Sequence, residues 1–383
     1  MSAFYLLFFA AQGVFFPYLT LYYRSIGWDG RMIGALGMFS PLVVIASRPL
    51  WGYLADQYQA KRTVLAGGLL LTAASAWLYP ISDAFWWLAG ATIFAAVAQS
   101  STTPIADSLT LDVLEGRQGH YGRIRLWGSA GFAVTASLAG AFYQAHGLRL
   151  MFGLYSGLIL ITWIGTAALP KGAARPAQRL TWRGGLALLR KPAFALFLLG
   201  ALLQAAVSSG GWTFMTVYLD ALGASKPVVG LAWTIPAVIE IPIFFVTNAL
   251  VNRIGVRGLL LGAVALQAAR MAGIGLTASP YGILAMQTLI GVGFAFLQTG
   301  SVLYVNQVIP AEWRATGQSL LAALGSSLGG MLGSIACGTL FDLYGGRVMF
   351  LSAAGVALAA GVIFYFALQE LRPAGRPPRT AAG

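Results

Sequence analysis

The sequence predicts an all-α membrane protein, with twelve transmembrane helices in two six-helix bundles. Three observations carry this. Of 383 residues, 58% are hydrophobic and 9% are charged, whereas a soluble chain carries about 25% charged residues. Apolar runs long enough to cross a bilayer, about 20 residues each, recur twelve times. The longest polar stretch falls in the middle, with six runs before it and six after.

The first six runs lie near 3–23, 32–55, 63–80, 84–114, 122–145 and 149–169. The second six lie near 193–219, 227–250, 256–277, 280–307, 315–341 and 347–369. The expected organisation is an N-terminal bundle (1–169), a linker (170–192), a C-terminal bundle (193–369) and a tail (370–383). The linker holds Lys171, Arg175, Arg179, Arg183, Arg190 and Lys191 and no acid. The tail is rich in Pro, Gly and Arg, and disorder is expected there. The first run has spanning length and no small-residue cleavage pattern after it, so no cleavable signal peptide is expected.

Charge sets the expected orientation. The loops on the linker side and the tail hold 16 bases, the opposite loops hold five, and Arg48, Arg125 and Arg270 fall within runs. Bases concentrate in cytoplasmic loops, so both termini are expected in the cytoplasm of a multi-pass inner-membrane protein. The net charge of +13 is thereby accounted for, and nucleic acid is not an expected partner. A lone cysteine, Cys337, excludes an internal disulfide. No P-loop, metal-spaced His/Cys/Asp cluster or Ser–histidine arrangement occurs within the runs. No cofactor, metal or enzymatic activity is expected.

After the second run the chain reads Gly52-Tyr-Leu-Ala-Asp56-Gln-Tyr-Gln-Ala-Lys61-Arg62; after the eighth it reads Asn248-Ala-Leu-Val-Asn252-Arg253-Ile-Gly255-Val-Arg257. This is an internal repeat. Both copies resemble the Gly-x-x-x-Asp-Arg-x-Gly-Arg-Arg loop of the major facilitator superfamily. Gln57 and Gln59 depart from it in the first copy, and Asn248 and Asn252 in the second. The resemblance implies two bundles around a midplane cavity that opens alternately to each side. It also implies a gating latch at Gly52, Asp56, Lys61, Arg62, Asn252 and Arg253; the plainer role is a turn with topology-setting charge.

Charges at membrane depth cost about 2.5–3.5 kcal/mol on insertion scales and mark function by default. Asp107 and Arg125 lie eighteen residues apart on consecutive runs, and are expected to form a pair facing the cavity. A guanidinium suits carboxylates, vicinal hydroxyls or phosphate. Trp127 is expected as a stacking platform beside Arg125. Tyr121-Gly-Arg-Ile-Arg125 and its spacing from Asp107 resemble the lactose permease, phenylpropionate permease and nucleoside symporter group. In lactose permease the matching arginine binds sugar and its carboxylate partner lies eighteen residues earlier, which implies a substrate role here. Glu240 sits between Pro236 and Pro242 in the eighth run, with Arg270 in the ninth. The resemblance implies that they pair as a proton-coupling site, together with Asp107.

The tenth run lacks the ionisable groups of that group, and His120 and His146 fall in or beside loops. Amides are costly against lipid, so Gln12, Gln99, Gln204 and Gln298 are expected to face substrate or neighbouring helices, as are Tyr18, Tyr22, Trp212 and Asn306. The small-residue run from Gly325 to Gly333 is expected to be a packing seam. The expected function is proton-coupled symport of a small organic solute, a sugar, nucleoside or aromatic acid, by a monomer in lipid. The rivals are a proton-coupled efflux antiporter and, from another class, a membrane enzyme or lipid flippase.

Overall fold

The structure is a computed structural model that describes residues 1–114, 121–170, 188–310 and 313–369. The side chains of Asp56, Phe244, Phe245, Thr247–Ala249 and Ala315 lie outside the description, as do Glu115, His120, most of the linker, and 370–383.

Among the described residues every regular element is a helix. Lipid offers the backbone no partner, so a spanning segment must satisfy its own N–H and C=O groups, as a helix does. The first span is Ser2–Ser25, the seventh Pro192–Ala221 and the tenth Pro280–Val308. The third begins at Lys61, the fifth is Tyr121–His146 and the sixth begins at Leu150.

Two spans are broken by proline. The second divides into Gly30–Gly37 and Phe39–Gln57, and the fourth into Phe85–Ser100 and Thr102–Leu114. Pro41 and Pro104 lack the N–H that would bond the carbonyls of Gly37 and Ser100, so each ladder stops there. Conversely, Lys226–Leu276 and Gly329–Ala367 run on through loops so short that the helices almost join. Gly255 (φ 69°, ψ 175°) and Gly345 (φ 77°, ψ 170°) reverse the chain in these two segments, making the eighth and ninth, and the eleventh and twelfth, spans. The chain thus crosses twelve times. The eleventh span also contains a π-helical turn, Leu321–Leu328.

The repeated loop has a geometric counterpart. Gly255 takes up its left-handed backbone freely. Gln59 occupies the corresponding place in the first copy at φ 48°, and among the described residues no other non-glycine has positive φ.

Two seams join the halves on the side away from the linker. In one, the amides of Gly30 and Arg31 donate to the Asp342 carboxylate at 2.7 and 2.6 Å. Gly34 and Gly338 let the backbones of the second and eleventh spans meet there. In the other, Thr234 donates to the Ala133 carbonyl at 2.8 Å and meets Ser137 at 2.8 Å. Lys226 bonds Gln144 and the Tyr143 carbonyl beside them. Among the described residues, every hydrogen bond between the halves belongs to these two seams. The linker-side ends bond within their own half: Lys61 pairs with Asp112 at 2.8 Å, and Arg62 caps the Ala167 and Leu169 carbonyls. The small-residue run is a packing seam, with Gly329 and Gly333 against Leu202 and Ala206 of the seventh span.

Candidate functional site

Between the halves lies a cavity of about 300 Å³. The fifth span contributes Arg125, Ser129 and Phe132, spaced as one helix face. The eighth contributes Trp233, Pro236, Ala237 and Glu240. Phe9, Trp212, Ile290, Gly291 and Phe294 complete the wall. One cation from the first half and one carboxylate from the second therefore share an apolar, aromatic chamber.

Asp107 and Arg125 do not form a direct ion pair. Tyr5 intervenes: its hydroxyl donates to Asp107 Oδ1 at 2.6 Å and lies 3.2 Å from Thr110 Oγ1. The Arg125 guanidinium lies over the Phe9 ring at 4.1 Å and near the Tyr5 ring at 5.3 Å. Such contacts contribute about 0.5–2 kcal/mol, more as water is excluded. Tyr5 escaped the sequence reading because one tyrosine in an aromatic-rich helix carries no local mark.

The expected Glu240–Arg270 pair is corrected too. Glu240 instead lines the chamber together with Arg125. Arg270 is fully buried, and its Nε donates to Gln287 Oε1 at 2.8 Å. Gln287 in turn donates to the Ala232 carbonyl at 2.9 Å. The error came from pairing neighbours in sequence; the cavity instead brings the fifth and eighth spans together.

Trp127 does not stack over the site. It is 51% exposed and shares an outward stripe with Val134 and Leu138. Two residues turn a helix by about 200°, which points Trp127 away from Arg125. Tyr18 is fully buried and donates to the Ala136 carbonyl at 2.5 Å, a link between the first and fifth spans. Gln99 donates to Gln12 at 2.9 Å and Tyr155 at 3.1 Å, and lines a second cavity of about 220 Å³. Gln204 and Gln298 line a third, also about 220 Å³, with Ser208, Gln267 and Ser301. Trp212 walls all three cavities.

Gly52 has open space about it, while Asn252 and Arg253 are exposed at the linker-side end. His146 is exposed and stacks on Phe142 at 4.6 Å. Among the described residues no group of three or more metal-ligating side chains occurs.

A family model, the MFS_1 like family, matches residues 1–352. The chain belongs to this family of major facilitator transporters. It is 27% identical to the maltose permease of Geobacillus stearothermophilus over 341 residues, covering 88% of this chain and 86% of the permease. It is 28% identical to a probable 3-phenylpropionic acid transporter of Escherichia coli (strain K12) over 267 residues, 67% of this chain and 68% of that one. In fold it is similar to a point variant of the nucleoside transporter NupG, with TM-score 0.87 and 18% identity, covering 96% of this chain and 98% of the other. This major facilitator chain is a multi-pass membrane protein of a transporter family, and its relatives here are permeases rather than enzymes.

Proposed function

We propose that the chain is a proton-coupled symporter of a small organic solute, working by alternating access as a monomer. Its halves would be 1–169 and 193–369, joined by the basic linker. It would sit in the inner membrane with the linker and both termini in the cytoplasm, as the base distribution favours. The observation that carries the reading is the shared chamber, lined by Arg125 of one half and Glu240 of the other. Arg125 offers donors to a carboxylate, hydroxyl or phosphate. Glu240 is the carboxylate placed to take a proton, because Asp107 is already bonded by Tyr5. Seams closed on the side away from the linker fit a cytoplasm-facing state.

Maltose, a nucleoside and 3-phenylpropionate are the solutes to try first, after the names of the maltose permease, the nucleoside transporter and the probable 3-phenylpropionic acid transporter. In reconstituted vesicles, an imposed pH gradient should drive accumulation of one of them by the wild type. Glu240→Gln should abolish that accumulation and spare exchange across equal gradients. Loss of neither activity, or of both equally, sinks the coupling role. A second reading, proton-coupled efflux, is favoured by the aromatic wall of Phe9, Phe132, Trp212, Trp233 and Phe294 around one acid. Reversing the gradient separates the two: a symporter accumulates solute on the alkaline side, an antiporter on the acidic side.

A further inference from the structure

Arg270 presents a problem that transport chemistry answers. Its side chain is fully buried. Nε is bonded to Gln287, but neither Nη1 nor Nη2 has a hydrogen-bond partner among the described residues. Uncompensated, a buried charge costs several kcal/mol. The two free amino groups are the pair that grips one carboxylate end-on. The guanidinium lies 5.5 Å from the centre of the Trp212 ring. Trp212 packs on Trp233 at 4.7 Å and walls all three cavities. The Trp212 indole thus lies beside an unneutralised cation and also lines the chamber.

We propose that Arg270 is a second docking point, which takes the carboxylate of an aromatic acid when the Trp212 indole moves aside. A sugar hydroxyl would meet the hydrogen-bond demand and leave the charge; an anion meets both. Arg125, the other candidate, shares the chamber with the Glu240 carboxylate, and Asp107 accepts from Tyr5. The chamber's aromatic wall and volume of about 300 Å³ suit one ring on a short arm. Trp212 would exchange its packing on Trp233 for packing on the substrate ring. The inference rests on the transport reading above and narrows its substrate class.

The test is thermal stabilisation of the purified protein by 3-phenylpropionate against its uncharged amide, since ligand binding to the folded state stabilises by RT ln(1 + [L]/Kd). Wild type should bind the acid more tightly by about tenfold or more, the worth of a hydrogen bond to a charged group. Arg270→Gln should bind acid and amide alike. Trp212→Ala keeps Arg270 and removes the cover, so its preference for the acid should grow severalfold. Equal binding of acid and amide by wild type overturns the inference, and so does a preference that survives in Arg270→Gln. If Arg270→Gln does not fold, Trp212→Ala decides, and an unchanged preference there overturns it. If the preference is lost in Arg125→Gln and kept in Arg270→Gln, the anion docks at Arg125 and only this inference fails. Proton coupling is read separately, from gradient-driven accumulation in vesicles.

Discussion

Tyr5 decides how the charges of the first half are used. Its hydroxyl holds Asp107, which leaves Arg125 to stack on Phe9 and face the chamber. A hydrogen bond to a charged group contributes about 1.5–3 kcal/mol. Tyr5→Phe should therefore lower unfolding stability by about that much. It should cost far less in an Asp107→Asn background, where the acceptor is neutral. Equal costs in both backgrounds, measured by denaturant or thermal unfolding, would show that the bond contributes nothing. The eighteen-residue spacing made Asp107 and Arg125 visible in the sequence because it is local. Tyr5 was hidden because its partner is 102 residues away. Arg270 was legible as unusual and misread in its partner, since the acceptor is an uncharged amide, Gln287, in a run that lacks ionisable groups.

At the scale of the element, the repeated loop makes a conformational demand that its two copies meet differently. Both put one residue in the left-handed region, Gly255 in the second half and Gln59 in the first. A side chain there costs roughly 1–2 kcal/mol. Gln59→Gly should raise thermal stability by about 0.5–1 kcal/mol, because part of the relief is offset by the greater freedom of glycine in the unfolded chain. Gly255→Ala should lower it by about 1 kcal/mol or more. A destabilised Gln59→Gly protein would show that the glutamine side chain, and not the backbone, matters at the turn. The departure of Gln59 from the loop pattern was legible; the strain was not, because it needs the dihedral angle. The breaks in the second and fourth spans were likewise written in Pro41 and Pro104, but apolar length alone does not reveal a missing ladder bond.

For the whole molecule, the apolar runs and the central basic linker made twelve crossings and two halves legible, whereas the closed seams were not. Gly30, Gly34 and Gly338 act through backbone contact between residues some three hundred positions apart, which no local pattern encodes. The seams also set how easily the molecule opens on the side away from the linker. Among the described residues, six hydrogen bonds join the halves there. Interhelical bonds in membranes average about 0.6 kcal/mol, so the seams supply only a few kcal/mol. A Cβ on Gly34 would collide with the Ser334 carbonyl, and overpacking of this kind costs about 1–3 kcal/mol. Tenfold in a two-state population needs about 1.4 kcal/mol. Gly34→Leu should therefore shift the equilibrium toward a form open on that side by about fivefold to a hundredfold. With buried Cys337 replaced by Ala, a cysteine at Ser137 in the other seam reports the change. Its alkylation by a membrane-impermeant maleimide, added on the side away from the linker, should quicken by that factor when Gly34→Leu is added. Asp342→Asn, which weakens the carboxylate's hold on Gly30 and Arg31, should act in the same direction. The two changes lie in one seam and report through the other, so a common response requires the halves to move as bodies. Quickened labelling at the Gly34 seam alone, with position 137 unchanged, would mean local fraying and would count against alternating access by rigid halves.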